Sequence, residues 1–368
     1  MDSAALTSIP NLVIGGGIAG LWAHARARAC GLPSILIAPE LGGGQTLLSQ
    51  GIIHGGTKYA LNGALTGASE AIKGMPERWL AALNGTGEID LTNVQIASRH
   101  QLMINNDSLG GKVTQFFASK ALRGRVDTVT PPDFLPSSAK VYQLNEPVID
   151  THSLIQALAQ TDGIYAGHVD QLDPETGVVT LQSGVRVQAE NILLAAGEGN
   201  EAILTSSQID SPQMQRRPLQ MLVGFGDLPP LWAHIVGTGS KPLATITTHN
   251  GAWYVGGGIA ENGVELNETE FVKQAPASLA KLLPSVDLSS VLWESVRVNR
   301  AEPASKDKAR PDHPYYSRQG RLGIAWPTKL ALSPALADQA LQHFTDGTQP
   351  KLDLPMPPIA STPWSQHA

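Results

Sequence analysis

The sequence predicts an α/β protein: a Rossmann-like domain with a central parallel sheet, joined to a second α+β domain with a largely antiparallel sheet. Three observations predict it. A glycine-rich turn, Gly15 to Gly20, links an apolar run to a helical pattern near the start of the chain. Two further runs, Ile35 to Ala38 and Ile192 to Ala196, are wholly apolar, as in strands covered on both faces. Residues 213–300 instead carry short strand-like stretches separated by turn residues, which suits an antiparallel sheet.

In order, Asn11 to Ile14 reads as a strand and the stretch after Gly17 as a helix, with Ile18, Leu21, Trp22, Ala25 and Ala29 at helical spacing and Gly31 placed for a left-handed cap. Ser34 to Ala38 completes a βαβ unit. A second glycine-rich stretch, Leu41 to Thr46, leads into Ser49-Gln50-Gly51-Ile52-Ile53-His54-Gly55-Gly56, and so many glycines imply backbone close to a bulky group. Met75 to Lys140 reads as an insertion, with a helical stretch near Thr114 to Leu122 and a turn at Pro131-Pro132. Asp150 to Ser153 opens a helix running through Ala159, Gly177 to Val187 alternates like a hairpin around Ser183-Gly184, and Asn191 to Gly197 is expected at the centre of the first sheet. Leu219 to Phe225, Leu243 to Thr248 and Ala252 to Gly257 are strands of the second domain. Leu322 to Trp326 returns to the strand pattern, followed by Ser333 as N-cap, Pro334 at the first helical position and a helix from Ala335 to about Phe344. A proline-rich tail beyond it is expected to lie extended on the surface. The elements divide the chain into a discontinuous first domain (residues 1–75, 140–210 and 310–345), a second domain (76–139 and 211–309) and the tail (346–368).

Composition narrows the function classes. The 368 residues carry 26 Lys and Arg against 32 Asp and Glu, net charge −6, with no basic run to neutralise a phosphate backbone, so no nucleic-acid partner is expected. The single cysteine, Cys30, excludes an internal disulfide and fits a reducing, cytoplasmic compartment. The most apolar stretch, Leu12 to Ala29, is broken by four glycines, His24, Arg26 and Arg28, so neither a transmembrane segment nor a signal peptide is expected.

A helix N-terminus bears partial positive charge and unsatisfied N–H groups, so a pyrophosphate docks there when no side chain intervenes. Gly15 permits the tight turn, Gly17 the close approach and Gly20 the helix–strand contact, while Ile18 and Ala19 begin the helix; between strand and helix this spacing predicts a dinucleotide site. The acidic residue that holds a ribose hydroxyl is absent from the end of the second strand, where Ala38 stands; Glu40 is the candidate, with backbone and water as the alternative. A second cluster, Gly256-Gly257-Gly258, lacks the third glycine, and Asn262-Gly263 makes a turn where a helix should begin, so one dinucleotide is expected.

Gly15 to Gly20, Ser49 to Gly56, Ile192 to Gly197 and Gly323 to Leu336 together resemble the FAD-dependent oxidoreductases of the D-amino acid oxidase type, which include glycine oxidase, sarcosine oxidase, glycerol-3-phosphate dehydrogenase and 2-hydroxyglutarate dehydrogenase. The resemblance spans about residues 10–345. It implies FAD as cofactor, its pyrophosphate on the Gly15 to Gly20 turn and its isoalloxazine under the 42–56 and 323–334 segments. On those segments it makes Gly44, Gln45, Thr46, Ser49, Gln50, Gly51, Ile53, Ala196, Gly197, Pro327, Thr328, Lys329 and Leu330 cofactor contacts. Where the family usually has a Gly-His-Gly-like turn, this chain has Trp326 to Leu330, and Lys329 would add positive charge at the flavin pyrimidine. His54 is a proton acceptor, a covalent flavin tether or a structural histidine. The carboxylate anchor is expected at Arg297, between Val296 and Val298 on a strand whose alternate face points inward, with Arg300 and Arg310 as substitutes. No metal is expected. The implied reaction is oxidation of the C–H bond next to a hydroxyl or amine of a small anionic substrate (a 2-hydroxy acid, polyol derivative or amino acid) by hydride transfer to flavin N5, with oxygen, a quinone or a carrier protein as electron acceptor. The alternatives are a flavin-binding protein with lost or secondary catalysis acting in a complex, and a nicotinamide dehydrogenase, which would purify colourless.

Overall fold

Five parallel strands form the heart of the first sheet, in the order Leu322–Trp326, Arg186–Leu194, Thr7–Ile14, Ile35–Ala38, Ile164–Ala166. The computed structural model describes residues 6–55, 72, 74–105, 126–237, 241–306 and 311–367. Strands covered on both faces are near-continuous apolar runs, and residues 9–14 and 35–38 are buried without exception, the one polar side chain among them, Asn11, donating to the Pro33 and Thr345 carbonyls. An antiparallel edge strand, Tyr315–Gln319, and the hairpin strands Val169–Leu172 and Val178–Leu181 bring the sheet to eight.

The helix Ile18–Ala29 makes the crossover between Thr7–Ile14 and Ile35–Ala38, and Gly31 follows it at φ +78°, the left-handed value that favours glycine. On its buried face Trp22 meets Trp79 with ring centroids 4.4 Å apart. Trp79 belongs to the helix Met75–Leu83, whose Met75, Trp79, Ala82 and Leu83 form one apolar stripe buried with the first helix. Arg26 and Arg78 both pair with Glu88 and Asp338, which ties these helices to the helix Ser333–Leu341. Residues 76–83, expected in the second domain, thus pack on the first. The strand Lys140–Leu144, expected in the first domain, pairs with Gln101–Asn105 and Val126–Val129 in the second sheet, because backbone pairing rather than chain proximity decides where a strand lies.

The second sheet has eight strands in the order Leu292–Pro303, Met214–Phe225, Ala252–Gly256, Ala244–His249, Ala233–Val236, Gln101–Asn105, Lys140–Leu144, Val126–Val129. All neighbours are antiparallel except Ala233–Val236 with Gln101–Asn105. The helix Glu268–Leu282 buries Phe271, Ala275 and Leu279 in the core of this sheet and is opened by a capping box between Asn267 and Glu270. The strand reading of residues 213–300 passed over it, since Pro276 interrupts its helical signal. The helix expected near Thr114 to Leu122 lies outside the described residues.

Three local expectations are corrected. The last helix spans Ser333–Leu341, and Leu332 rather than Ser333 is its N-cap, because a 3-10 turn at Leu330–Leu332 runs straight into it and the Ser333 hydroxyl donates back to the Leu330 carbonyl at 2.9 Å. Gly257, at φ +73°, caps a short helix, Gly258–Asn262, and Gly263, expected with Asn262 to form a turn in place of a helix, continues it as a 3-10 turn to Glu265. The tail is extended but does not merely coat the surface. Leu352 and Trp364 are buried, Ile359 pairs in parallel with Leu41, and the Trp364 ring stacks on His249 at 4.2 Å.

Candidate active site

A cleft of about 630 Å³ opens at the carboxyl ends of the first sheet's strands, where the Met214–Phe225 and Leu292–Pro303 strands of the second sheet form its far wall. One wall is backbone. Gly15 sits at φ +124°, and a Cβ there would lie 2.5 Å from the Ala195 carbonyl oxygen. At Gly20 a Cβ would lie 2.1 Å from the Gly15 oxygen, so that glycine sets the helix–strand contact and does not itself line the cleft. Gly17 caps the first helix, the Ile18 N–H donates to Thr46 Oγ1 at 3.0 Å, and no acidic residue occupies the first turn. Residues 14–19 therefore turn a positively polarised helix end toward the cleft, with the small Thr46 hydroxyl as the side-chain group nearest Gly17, which fits a pyrophosphate.

Glu40 lines the same wall and is exposed, its carboxylate lying against Gly43, where a Cβ would come within 2.0 Å of Oε1. Gly44, Gln45, Thr46, Ser49, Gln50 and Gly51 also line the cleft, as do Ala196, Gly197 and residues 327–330. Gln50 is tied elsewhere as well: its Nε2 donates to the carbonyls of Thr245 and Tyr254 at 2.9 and 3.0 Å, fastening this loop to the second sheet. Ile53 is wholly buried and does not line the cleft, because alternation along the segment sends it into the first core while Ile52 and His54 face the opening. Lys329 is only 6% exposed, following Thr328 at φ +61°.

Arg297 is exposed and off the cleft, whereas residues 298–301 line it. The reason is the pleat: successive side chains point to opposite faces, so with Val298 buried on the inward side the arginine between the valines points outward. Arg300 lies on the cleft-lining stretch, with Nε donating to the Arg217 carbonyl at 3.1 Å and its guanidinium 3.9 Å from Glu261. Arg310 lies outside the described residues.

At the far end His54 places Nδ1 3.1 Å from Glu146 Oε2. Glu146, 1% exposed, accepts the Gly55 N–H on Oε1 at 2.9 Å. The His234 ring lies nearly parallel to that of His54, centroids 5.8 Å apart, and its Nδ1 is 2.8 Å from Thr245 Oγ1. The three side chains bring nitrogen and oxygen donors within 4.8 Å of one another, donor types that also suit a transition metal. Glu146 and His234 escape sequence reasoning, since a carboxylate in Asn145-Glu146-Pro147 reads as a solvated loop residue and a histidine alternating in a strand as core. Asn200 does too: wholly buried, it accepts the Ala196 N–H and donates to the Ala325 carbonyl, joining two strand ends beneath the cleft.

Comparison with known proteins agrees with this arrangement. A family model described as FAD dependent oxidoreductase matches residues 12–316. The chain is 44% identical over 388 aligned positions to the probable FAD-dependent oxidoreductase PA4991 of Pseudomonas aeruginosa, covering 99% of both chains. The crystal structure of that protein superposes with a TM-score of 0.84 at 38% identity, again over 99% of both. Glycine oxidase from Geobacillus kaustophilus shares the fold at a TM-score of 0.69 and 13% identity, covering 92% of this chain and 94% of its own. Iminodiacetate oxidase from Chelativorans sp. BNC1 does so at 0.66 and 16%, covering 96% and 100%. The chain belongs to the FAD dependent oxidoreductase family of the D-amino acid oxidase type, and it is an enzyme that uses FAD.

Proposed function

We propose that this enzyme oxidises the C–H bond next to a hydroxyl or amine of a small anionic substrate held between the FAD site and the wall formed by Leu219, Met221 and residues 298–301. The observation that carries the reading is that one cleft presents the helix end at Gly17, two cationic side chains, Arg300 and Lys329, and the imidazole of His54. In this reading Gly15, Gly17, Ile18 and Ala19 hold the cofactor's pyrophosphate, Glu40 a ribose, and residues 44–51, Ala196, Gly197 and 327–330 the rest. FAD supplies the hydride acceptor, so the protein's share is to bind, orient and move a proton. Arg300 takes the anchoring role expected of Arg297, its planar guanidinium matching a carboxylate or phosphate. The buried Lys329 ammonium supplies fixed positive charge beside the flavin segment. His54 accepts the proton that leaves with oxidation.

The test is anaerobic addition of 2-hydroxy acids, polyol phosphates and amino acids to the yellow holoprotein. The expected result is bleaching of the visible flavin band by an anionic member of the panel, and recovery on adding oxygen, a quinone or a carrier protein identifies the electron acceptor. A panel in which nothing bleaches the flavin overturns the reading in favour of a flavin-binding protein with secondary catalysis.

A further inference from the structure

We infer that Glu146 is a positioning residue that makes His54 Nε2 the proton acceptor, and that the substrate group so served is a hydroxyl; this rests on the oxidation proposed above. Glu146 is held at both oxygens: Oε1 takes the backbone N–H of Gly55 at 2.9 Å and Oε2 lies 3.1 Å from His54 Nδ1. An ionised carboxylate only accepts, so Nδ1 is the protonated nitrogen in this contact and the ring's lone pair resides on Nε2. Because the same carboxylate grips the ring of residue 54 and the backbone of residue 55, it fixes the imidazole relative to the loop that lines the cofactor end of the cleft. His234 is the shelf behind it. Its ring is 18° from parallel to that of His54 and is itself pinned through Nδ1 to Thr245 Oγ1, which opposes rotation of His54 out of plane.

This arrangement matters most to a hydroxyl. A free amine, formed by loss of the ammonium proton in a prior equilibrium, keeps its remaining N–H through hydride loss and needs no acceptor in that step, whereas an alcohol keeps its proton until the C–H bond breaks and so needs an acceptor already in place. The balanced step is a two-electron oxidation. With FAD bound as acceptor of the C–H hydrogen and its bonding pair, the O–H proton would pass to His54 Nε2 and the oxygen's freed electron pair would close the carbonyl. The Glu146 carboxylate then faces an imidazolium, the charged state it favours.

The experiment uses FAD-loaded protein labelled with nitrogen-15 in histidine, with His54→Gln for assignment. NMR is expected to show His54 in the Nδ1–H tautomer in the parent and to lose that preference in Glu146→Ala; a parent in the Nε2–H tautomer overturns the inference, whether or not any variant folds. In anaerobic mixing with lactate, 2-hydroxyglutarate, glycerol 3-phosphate, alanine and glycine, a hydroxy compound is expected to bleach the flavin fastest. Glu146→Gln should slow that bleaching about 100-fold, leave the half-saturating concentration within about threefold, and move the acid-side inflection to lower pH. Bleaching within twofold of the parent, preference for the amines, or a stoichiometric transition metal retained after dialysis each overturn it. If no compound bleaches the flavin, the proposed reaction fails and with it the hydroxyl assignment, while the tautomer still decides what Glu146 does.

Discussion

The two ends of the cleft are built from different materials. At the Gly15–Gly20 end the contacts are made by backbone within six consecutive residues, and what matters is side chains that are missing. At the His54 end the contacts are made by side chains from separate segments: His54, Glu146, His234 and Thr245. The first end tolerates truncation and fails on addition; the second should behave the opposite way. A single cleft thus joins a site whose geometry is local to one whose geometry exists only after distant strands have paired.

The strongest way to break this comparison is Gly17→Val. A Cβ at Gly17 would stand 3.2 Å from Thr46 Oγ1, and the branched methyls beyond it would cover the helix end. Purified protein should carry less than about a tenth of the parent's flavin absorbance per chain, and full occupancy would show that the backbone end does not hold the cofactor. Trp364→Ala probes the link between the ends. Trp364 stacks on His249 and meets Tyr254 edge-on, and the Tyr254 hydroxyl donates to the Leu48 carbonyl in the cofactor loop at 2.9 Å. Removing so large a buried ring should cost about 3–5 kcal/mol in urea unfolding. An unchanged midpoint would make the tail dispensable.

Next in size is a pH effect that both halves share. Burial pushes His24, on the first helix, down to about 4, with a backbone contact to Asp162 opposing and Arg28 adding to the shift. Burial also pushes His249, on the second sheet, down to about 4, against the attraction of Asp150 and a backbone contact with Gln50. Unfolded, each titrates near 6.5 and binds more protons than the folded form between the two values. Their contribution is therefore complete above about 6.5 and lost as pH falls toward 4, roughly 3 kcal/mol for each. Urea midpoints measured from pH 7.5 down to about 4.5 should fall steadily, and His24→Gln should flatten the decline; a flat parent profile contradicts the assignment.

The smallest effect is the sharpest discriminator on the wall formed by the strand Leu292–Pro303. Arg300→Ala should raise the half-saturating concentration of an anionic substrate about 30-fold, near 2 kcal/mol, with flavin content unchanged. Arg297→Ala, three residues away and exposed, should change it less than twofold. Equal effects would return the anchor to Arg297.

The same contrast explains what could be read in advance. The glycine spacing, the apolar strands and the first helix were legible because their physics is local: a positive φ at Gly15, a contact at Gly20 that admits no Cβ, and burial on both faces of the parallel strands. The hairpin at Gly184, φ +86°, was legible for the same reason. Glu146 and His234 were not, because nothing near either in sequence marks it as facing His54; that meeting depends on the register His234↔Met103 and Tyr142↔Met103 across three strands. Arg297 shows the limit of local pattern: apolar neighbours suggest an inward-facing arginine, yet in a pleated strand inward neighbours place the middle residue outward, and Arg297 is exposed.

The parallel bridge between Leu41 and Ile359, with Leu41 N–H on the Pro358 carbonyl and Ala360 N–H on the Leu41 carbonyl, also has a place in time. A ribosome adding about 5–20 residues per second needs roughly 15–60 s to travel from the first partner to the second. Through that interval the nascent Leu41 segment lacks the residues that border it, and for about half of it the Thr7–Ile14 strand waits for its neighbour Arg186–Leu194. The Leu41–Ile359 bridge thus closes only after every strand of the first sheet among the described residues has been made.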